Sequence, residues 1–314
     1  MATTKDIKGR ISSVKNIQKI TSAMQMVAAA RLRKAEQRIE HLRPYAEAIR
    51  TMTRRAVEAA ENIPSLPILQ EHENVSRVGL LLVTGDRGLA GGFNSQIVRA
   101  GNRRRVEVEG ESHEVAWYAS GRRGVSSIKF RGFELAGGYM GYTDRPAYSD
   151  ARKIADDLVT QYVDGKVDRV EILYNGYVSP LVQEVRHETL LPLQQADILG
   201  SDDDESDDQP AGQGDQGGQG DEGATDQSRS LWIYEPDPEE ILRRLAPDYV
   251  EISIYRALLE STASEHGARM TAMRSASENA KELIDDLTLE ANRQRQAEIT
   301  QEIMEVVAGA EGLG

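Results

Sequence analysis

Apolar residues near the start of the chain recur at three- and four-residue steps: Ile7, Ile11, Val14, Ile17, Met24, Val27, Leu32, Ala35, Ile39 and Leu42. Such steps, or sums of them, trace one face of a helix. All ten prolines lie at or before Pro247 and none lies between Met1 and Arg43. Nothing in that stretch therefore removes a helical N–H or forces a break. Thr3 with Asp6 three residues on predicts a capping box, and Lys5 to Arg43 alone would span roughly 60 Å. Pro44 is a candidate kink, after which the Ala- and Arg-rich stretch Tyr45 to Ala60 reads as helix again.

A second stripe runs at the other end: Ile252, Tyr255, Leu259, Thr262, Met270, Met273, Ala280, Ile284, Leu287, Ala291, Ile303 and Val307. Asp248 with Glu251 predicts the start of this helix. A shorter helix is expected before it, announced by Asp237-Pro238-Glu239-Glu240. From Asp248 to Ala308 the long helix would reach roughly 90 Å. No globular domain of this size buries such a helix within itself. The two stripes must be covered by each other or by a partner, as a coiled coil.

Between the ends the period changes. Val78 to Val83 is a buried strand, Gly85 to Gly92 a glycine-rich turn, and a helix follows from about Asn94. Glu114 to Ala119, Arg169 to Tyr174 and Leu181 to Thr189 read as further strands. Asp150 to Val163 is an amphipathic helix through Ile154, Leu158 and Tyr162. Alternating strands and helices predict an α/β domain. The expected organisation is a long helix over 1–62, an α/β domain over 74–199, and an acidic insertion over 200–229. A linker with a short helix follows over 230–247, then a long helix over 248–314.

Composition changes this picture in two places. Charge is segregated: Ser201 to Ser228 holds ten acids and no Lys or Arg, and removing those ten from the net −13 leaves −3. That tract is too poor in apolar residues to offset its ordering entropy and is expected to be disordered. Lys5 to Arg43 carries ten Lys or Arg against Asp6, Glu36 and Glu40. The absence of cysteine excludes disulfides, a thiolate nucleophile and Cys-ligated zinc. Apolar runs are far short of the ~20 residues that cross a bilayer, and the basic, polar-broken start does not read as a signal peptide.

Candidate chemistry is sparse. The turn Thr84 to Asn94 follows a strand and opens a helix, where phosphate loops lie, but it matches neither G-x-G-x-x-G nor a Gly-Lys-Ser/Thr ending. A structural or subunit-contact turn is the better reading. His41, His72, His113, His187 and His266 show no metal-ligand spacing and no catalytic order. The basic first helix lacks interleaved aromatics, so no nucleic-acid partner is expected. Neither a cofactor nor a small-molecule substrate is expected.

Three fragments then supply a resemblance. Ile20 to Ala35 (ITSAMQMVAAARLRKA) resembles the N-terminal helix of the gamma subunit of rotary proton-translocating ATP synthases. Gly85 to Asn94 (GDRGLAGGFN) is similar to that family's turn. Glu265 to Met273 (EHGARMTAM), Asn292 to Thr300 (NRQRQAEIT) and Gln301 to Ala310 (QEIMEVVAGA) resemble its C-terminal signature. Ala90 stands where many relatives carry cysteine, which excludes thiol redox control of the plant type. The acidic insertion has no counterpart in the resemblance.

The resemblance implies an antiparallel, left-handed coiled coil of the terminal helices plus a Rossmann-like central α/β domain. It implies a non-catalytic rotor that turns inside a ring of alpha and beta subunits, with the epsilon subunit and the membrane c-ring at its foot. Proton flow through the c-ring would drive the beta subunits through ATP synthesis. The location implied is the cytoplasmic face of a bacterial plasma membrane. Met24, Arg31, Arg33, Asp86, Arg87, Arg269, Arg295, Gln296 and Thr300 are the implied subunit-contact residues. Ala28, Ala29, Ala30 and Ala35 would allow close helix approach, and Val306 to Ala310 would form an apolar tip. Two other readings stay open: a nucleotide-binding α/β protein with coiled-coil dimerisation arms, and a scaffold whose helices only homodimerise.

Overall fold

The computed structural model describes residues 4–59, 66–193 and 238–311. The acidic tract 200–229, Thr3 and Asp237 lie outside them. Helix α1 (Thr4–Ala59) and a C-terminal helix, α5 (Pro238–Glu311), run antiparallel. Thr4 meets Glu298, Ile7 packs with Leu287 and Ala291, and Leu32 and Ala35 pack with Ala263.

Burial on α1 follows a strict alternation of four and three: Ile7, Ile11, Val14, Gln18, Thr21, Gln25, Ala28, Leu32, Ala35, Ile39, Leu42, Ala46, Ile49 and Thr53. On α5 the matching row is Met273, Ser277, Ala280, Ile284, Leu287, Ala291, Gln294 and Glu298. A mean repeat of 3.5 keeps the seam facing its partner only if the pair supercoils left-handedly. The repeat also corrects the apolar stripe drawn from the sequence. From Val14 it passes through Gln18, Thr21 and Gln25, leaving Ile17 and Val27 on the outer flank, each 53 % exposed. Of the alanines, Ala28 and Ala35 enter the seam while Ala29 and Ala30 face outward.

One expected helix boundary changes. At the start of α1, the Thr4 N–H and Oγ1 donate to the Glu298 carboxylate at 3.2 and 2.8 Å and tie the two helices together; the expected cap at Thr3 lies outside the described residues. The break between a short helix and one starting at Asp248 is absent, since α5 passes through Pro247. Pro247 is exposed, so the carbonyl it leaves without a donor, Arg243, lies on the solvent side. Leu242, Ala246, Val250 and Ile254 are fully buried at four-residue steps across the proline, the last three in the core cluster of the sheet. Pro44 likewise sits exposed within α1.

The α/β domain is a five-stranded sheet in the order β3-β2-β1-β4-β5. Its strands are β1 (Arg77–Val83), β2 (Glu114–Ser120), β3 (Leu135–Tyr139), β4 (Arg169–Tyr177) and β5 (Gln183–Leu191). The first four are parallel and β5 is antiparallel to β4. Val78, Leu80 and Leu82 point to α2 (Phe93–Gly110) and α3 (Arg122–Phe130), while Leu81 and Val83 point to α4 (Tyr148–Val163) and α5. The chain leaves β1 toward β2 on one side and meets β4 on the other, which opens a crevice at the carboxyl end of β1, the usual ligand position in such sheets.

Candidate functional site

The turn Thr84–Asn94 emerges into that crevice. Thr84 Oγ1 donates to the Ser120 carbonyl at 2.8 Å and accepts from the Gly124 N–H at 2.8 Å. This contact is possible because Gly121, at φ 93°, has no Cβ; one would lie 2.1 Å from the Thr84 carbonyl oxygen. The Gly85 N–H donates to Asn94 Oδ1 at 2.8 Å, and Asn94 Nδ2 returns to the Arg87 carbonyl at 3.2 Å, closing the turn on the helix it opens.

Asp86 decides what the crevice can hold. Its Oδ1 accepts from the N–H of Arg122, first residue of α3, at 2.9 Å, and its Oδ2 from the Gly141 N–H at 3.0 Å and Thr143 Oγ1 at 3.0 Å. The Arg122 N–H is one that a phosphate would use at a helix N-terminus, and the Gly141 and Thr143 donors stand beside it from the loop after β3. A carboxylate of the chain itself already holds them. Thr262 and Glu265 of α5 fill the remaining space, Thr262 Oγ1 donating to the Thr143 carbonyl at 2.9 Å. The void left among Thr84, Thr143, Thr262 and Glu265 is about 10 Å³, water-sized at most. The geometry disfavours nucleotide binding.

Around Asp86 the turn is fixed to both long helices. Glu265 is 1 % exposed and Arg269 8 %. Arg269 Nη2 donates to Glu265 Oε1 at 2.5 Å and to the Gly88 carbonyl at 3.3 Å, and Nη1 lies 3.3 Å from His266 Nδ1. Gly85 admits the carboxylate, since a Cβ there would sit 2.7 Å from it. Burial pushes the Glu265 carboxyl up, against the downward pull of Arg269. Burial, then the Arg269 charge, lowers His266 to about 4, so it is neutral at physiological pH. On the α1 side, Asp144 Oδ2 takes both Arg31 at 3.0 Å and Arg87 at 3.4 Å. Farther along, Tyr177 donates to Glu36, Arg186 pairs with Glu260 at 3.0 Å, and Arg256 with Glu188 at 2.7 Å. The α5 segment from Ala257 to Gly267 is buried at every position between sheet and α1.

Seven of the nine residues singled out from the sequence fall in two places, and the other two lie between them. Asp86, Arg87, Arg31 and Arg269 come together at the junction of shaft and domain. Arg295, Gln296 and Thr300 lie exposed far along α5, opposite the start of α1. Met24 is half-buried beside the seam and Arg33 is exposed, both on α1 between these places. The Arg269 guanidinium is engaged within the chain, with Glu265, His266 and the Gly88 carbonyl. Asp144, Thr143, Glu265 and His266 were missed. Glu265 had a signal, standing four residues before Arg269 on one helix face; Asp144 had none. Ile303, Met304, Val306 and Val307 are 48 to 72 % exposed at the end of α5, past its last contact with α1. Among the described residues no His, Asp and Glu cluster could hold a metal ion, and no helix is long and apolar enough to cross a membrane.

Comparison with known proteins gives one consistent result. The family model described as ATP synthase matches residues 3–313. The ATP synthase gamma chain of Rubrobacter xylanophilus is 43 % identical over 313 residues, covering 100 % of this chain and 99 % of that protein. The gamma chain of Moorella thermoacetica is 41 % identical over 313 residues, covering 100 % of each. Among solved structures, a Tetrahymena thermophila mitochondrial ATP synthase central stalk and c-ring matches with a TM-score of 0.57 at 25 % identity, over 82 % of this chain and 99 % of that one. A chain of the Euglena gracilis mitochondrial ATP synthase shares the fold with a TM-score of 0.64 at 15 % identity, over 99 % of this chain and 94 % of that one.

Proposed function

The chain belongs to the ATP synthase gamma-chain family, and on that premise we propose how its parts serve the rotor. It is the central shaft of a rotary ATP synthase, coupling proton-driven rotation of the c-ring to the conformational cycle of the beta subunits. The observation that carries this is an antiparallel helix pair whose longer member ends in an unpaired apolar tip, in a chain matched end to end by gamma chains. The α/β domain is the foot, on the side of the epsilon subunit and c-ring, and the coiled coil stands within the alpha–beta ring.

In this reading the chain catalyses nothing itself and holds no nucleotide. The long helix over 1–62, the α/β domain over 74–199, the acidic insertion over 200–229 and the C-terminal helix from Pro238 onward are its functional units. Met24, Arg33, Arg295, Gln296 and Thr300 are ring-facing contacts. Asp86, Arg87, Arg31 and Arg269 instead serve as the joint through which the foot turns the shaft. Its place is the cytoplasmic face of a bacterial plasma membrane, held there by its partners.

The chain has no cysteine, so a single one at exposed Ser126 labels the foot uniquely. With alpha and beta subunits reassembled around the labelled chain, a bead on that site should turn in one direction during ATP hydrolysis. Active hydrolysis under a stationary bead would sink the proposal.

A further inference from the structure

The two edges of the sheet differ. β5 carries Glu184, Arg186, His187 and Glu188, charges of the kind that discourage another strand. β3 reads Leu135-Ala136-Gly137-Gly138-Tyr139, with no charge and no proline, and among the described residues β2 is its one strand neighbour. Ala136 and Gly138 are exposed. The pairing with β2 shifts register at Ala136, Trp117 facing Leu135 and Tyr118 facing Gly137; from Gly137 on, alternate residues turn their N–H and C=O to opposite sides, so part of the β3 backbone faces away from β2. Two glycines leave that side unobstructed by side chains.

Beside this edge stands α3, packed on β2 and β3. From Arg122 to Arg131 it presents Arg122, Arg123, Lys129 and Arg131 and no acid, and none of the four is in an ion pair among the described residues. Phe130 is 93 % exposed at its end, and Met140, directly after β3, is 51 % exposed. An open backbone edge, unneutralised cations and two exposed apolar side chains sit together.

We propose that the free edge of β3, with Phe130 and the basic α3 beside it, is a β-addition site for an extended acidic segment of a neighbouring subunit. This rests on the reading that the chain works inside an assembly. The charge of α3 calls for an acidic occupant, and Phe130 and Met140 for an apolar residue within it. A lipid surface or a nucleic acid could answer the cations but could not pair alternate backbone groups in the plane of the sheet.

Residue-resolved hydrogen exchange on the isolated chain and on the reassembled complex tests this. In the complex, the amides of Gly137–Met140 that face away from β2 should exchange at least about tenfold more slowly, in an every-other-residue pattern. The triple variant Lys129→Glu, Phe130→Ser, Arg131→Glu, all exposed positions, should lose that protection while melting like the parent. A complex that assembles and rotates with these amides unprotected overturns the proposal and leaves the rotor reading standing. A chain that never enters the complex overturns both. Protection already present in the isolated chain, traced by sedimentation to a second copy or lost on deleting 201–228, assigns the edge to another occupant and also overturns it.

Discussion

Replacing Arg269 by alanine strips the counter-charge from a carboxylate that water does not reach. Breaking a buried pair from one side costs about 3–5 kcal/mol, and the Gly88 carbonyl loses a donor worth about 1 kcal/mol. Glu265 has one escape, to take up a proton. Its carboxyl is already raised by burial and would rise further without Arg269. A folded-state value above the unfolded one means that the folded chain holds the proton more readily. Stability then falls as pH rises from the unfolded value, about 4.3, to the folded one. Relative to the parent, Arg269→Ala should therefore lose stability between about pH 4.5 and pH 8, by about 1.4 kcal/mol for each pH unit inside that window. Replacing both partners, as in Glu265→Gln with Arg269→Met, removes the charge and should recover most of the loss. Urea unfolding followed by helix circular dichroism at both pH values measures this. A single variant within about 1 kcal/mol of the parent, or a double variant no better than the single, would refute the account.

Three further outcomes are expected. His266 is neutral when folded and takes a proton below about 6.5 when unfolded, so its contribution declines by about 3 kcal/mol as pH falls from about 6.5 to 4; His266→Gln should flatten that decline, and superimposable unfolding profiles would contradict it. Gly121→Ala places a Cβ 2.1 Å from the Thr84 oxygen at φ 93° and should cost at least about 2 kcal/mol, which an unchanged thermal midpoint would disprove. Arg295→Ala and Gln296→Ala, both exposed, should leave unfolding within about 0.5 kcal/mol of the parent yet lower proton-driven ATP synthesis in vesicles; undiminished synthesis removes them from the ring contact.

The long helices were legible because proline absence and apolar spacing are local properties. Their true seam was not. It includes Gln18, Thr21 and Gln25, which a search for apolar residues passes over, and only the partner's geometry brings them inside. β3 escaped notice because Leu135-Ala136-Gly137-Gly138-Tyr139 has neither alternation nor β-branched residues; it forms by pairing with β2. The run through Pro247 was hidden for a related reason, since packing of Ala246, Val250 and Ile254 on the sheet outweighs one missing hydrogen bond. At the junction, Asp86 and Arg269 stood within readable fragments, whereas Asp144 enters from a loop distant in sequence and is placed by the fold alone.

The carboxylate of Glu298 that receives Thr4 also marks a step in stiffness along the rotor. Below it, twist is shared by two helices locked along a 3.5-residue seam. Above it, about 20 Å of α5 continues as a single helix. A load applied at the tip strains one hydrogen-bonded backbone, and the same load lower down strains a two-stranded rod. Among the described residues, most of the elastic give at the top of the shaft is thereby confined to the stretch beyond the Thr4–Glu298 contact.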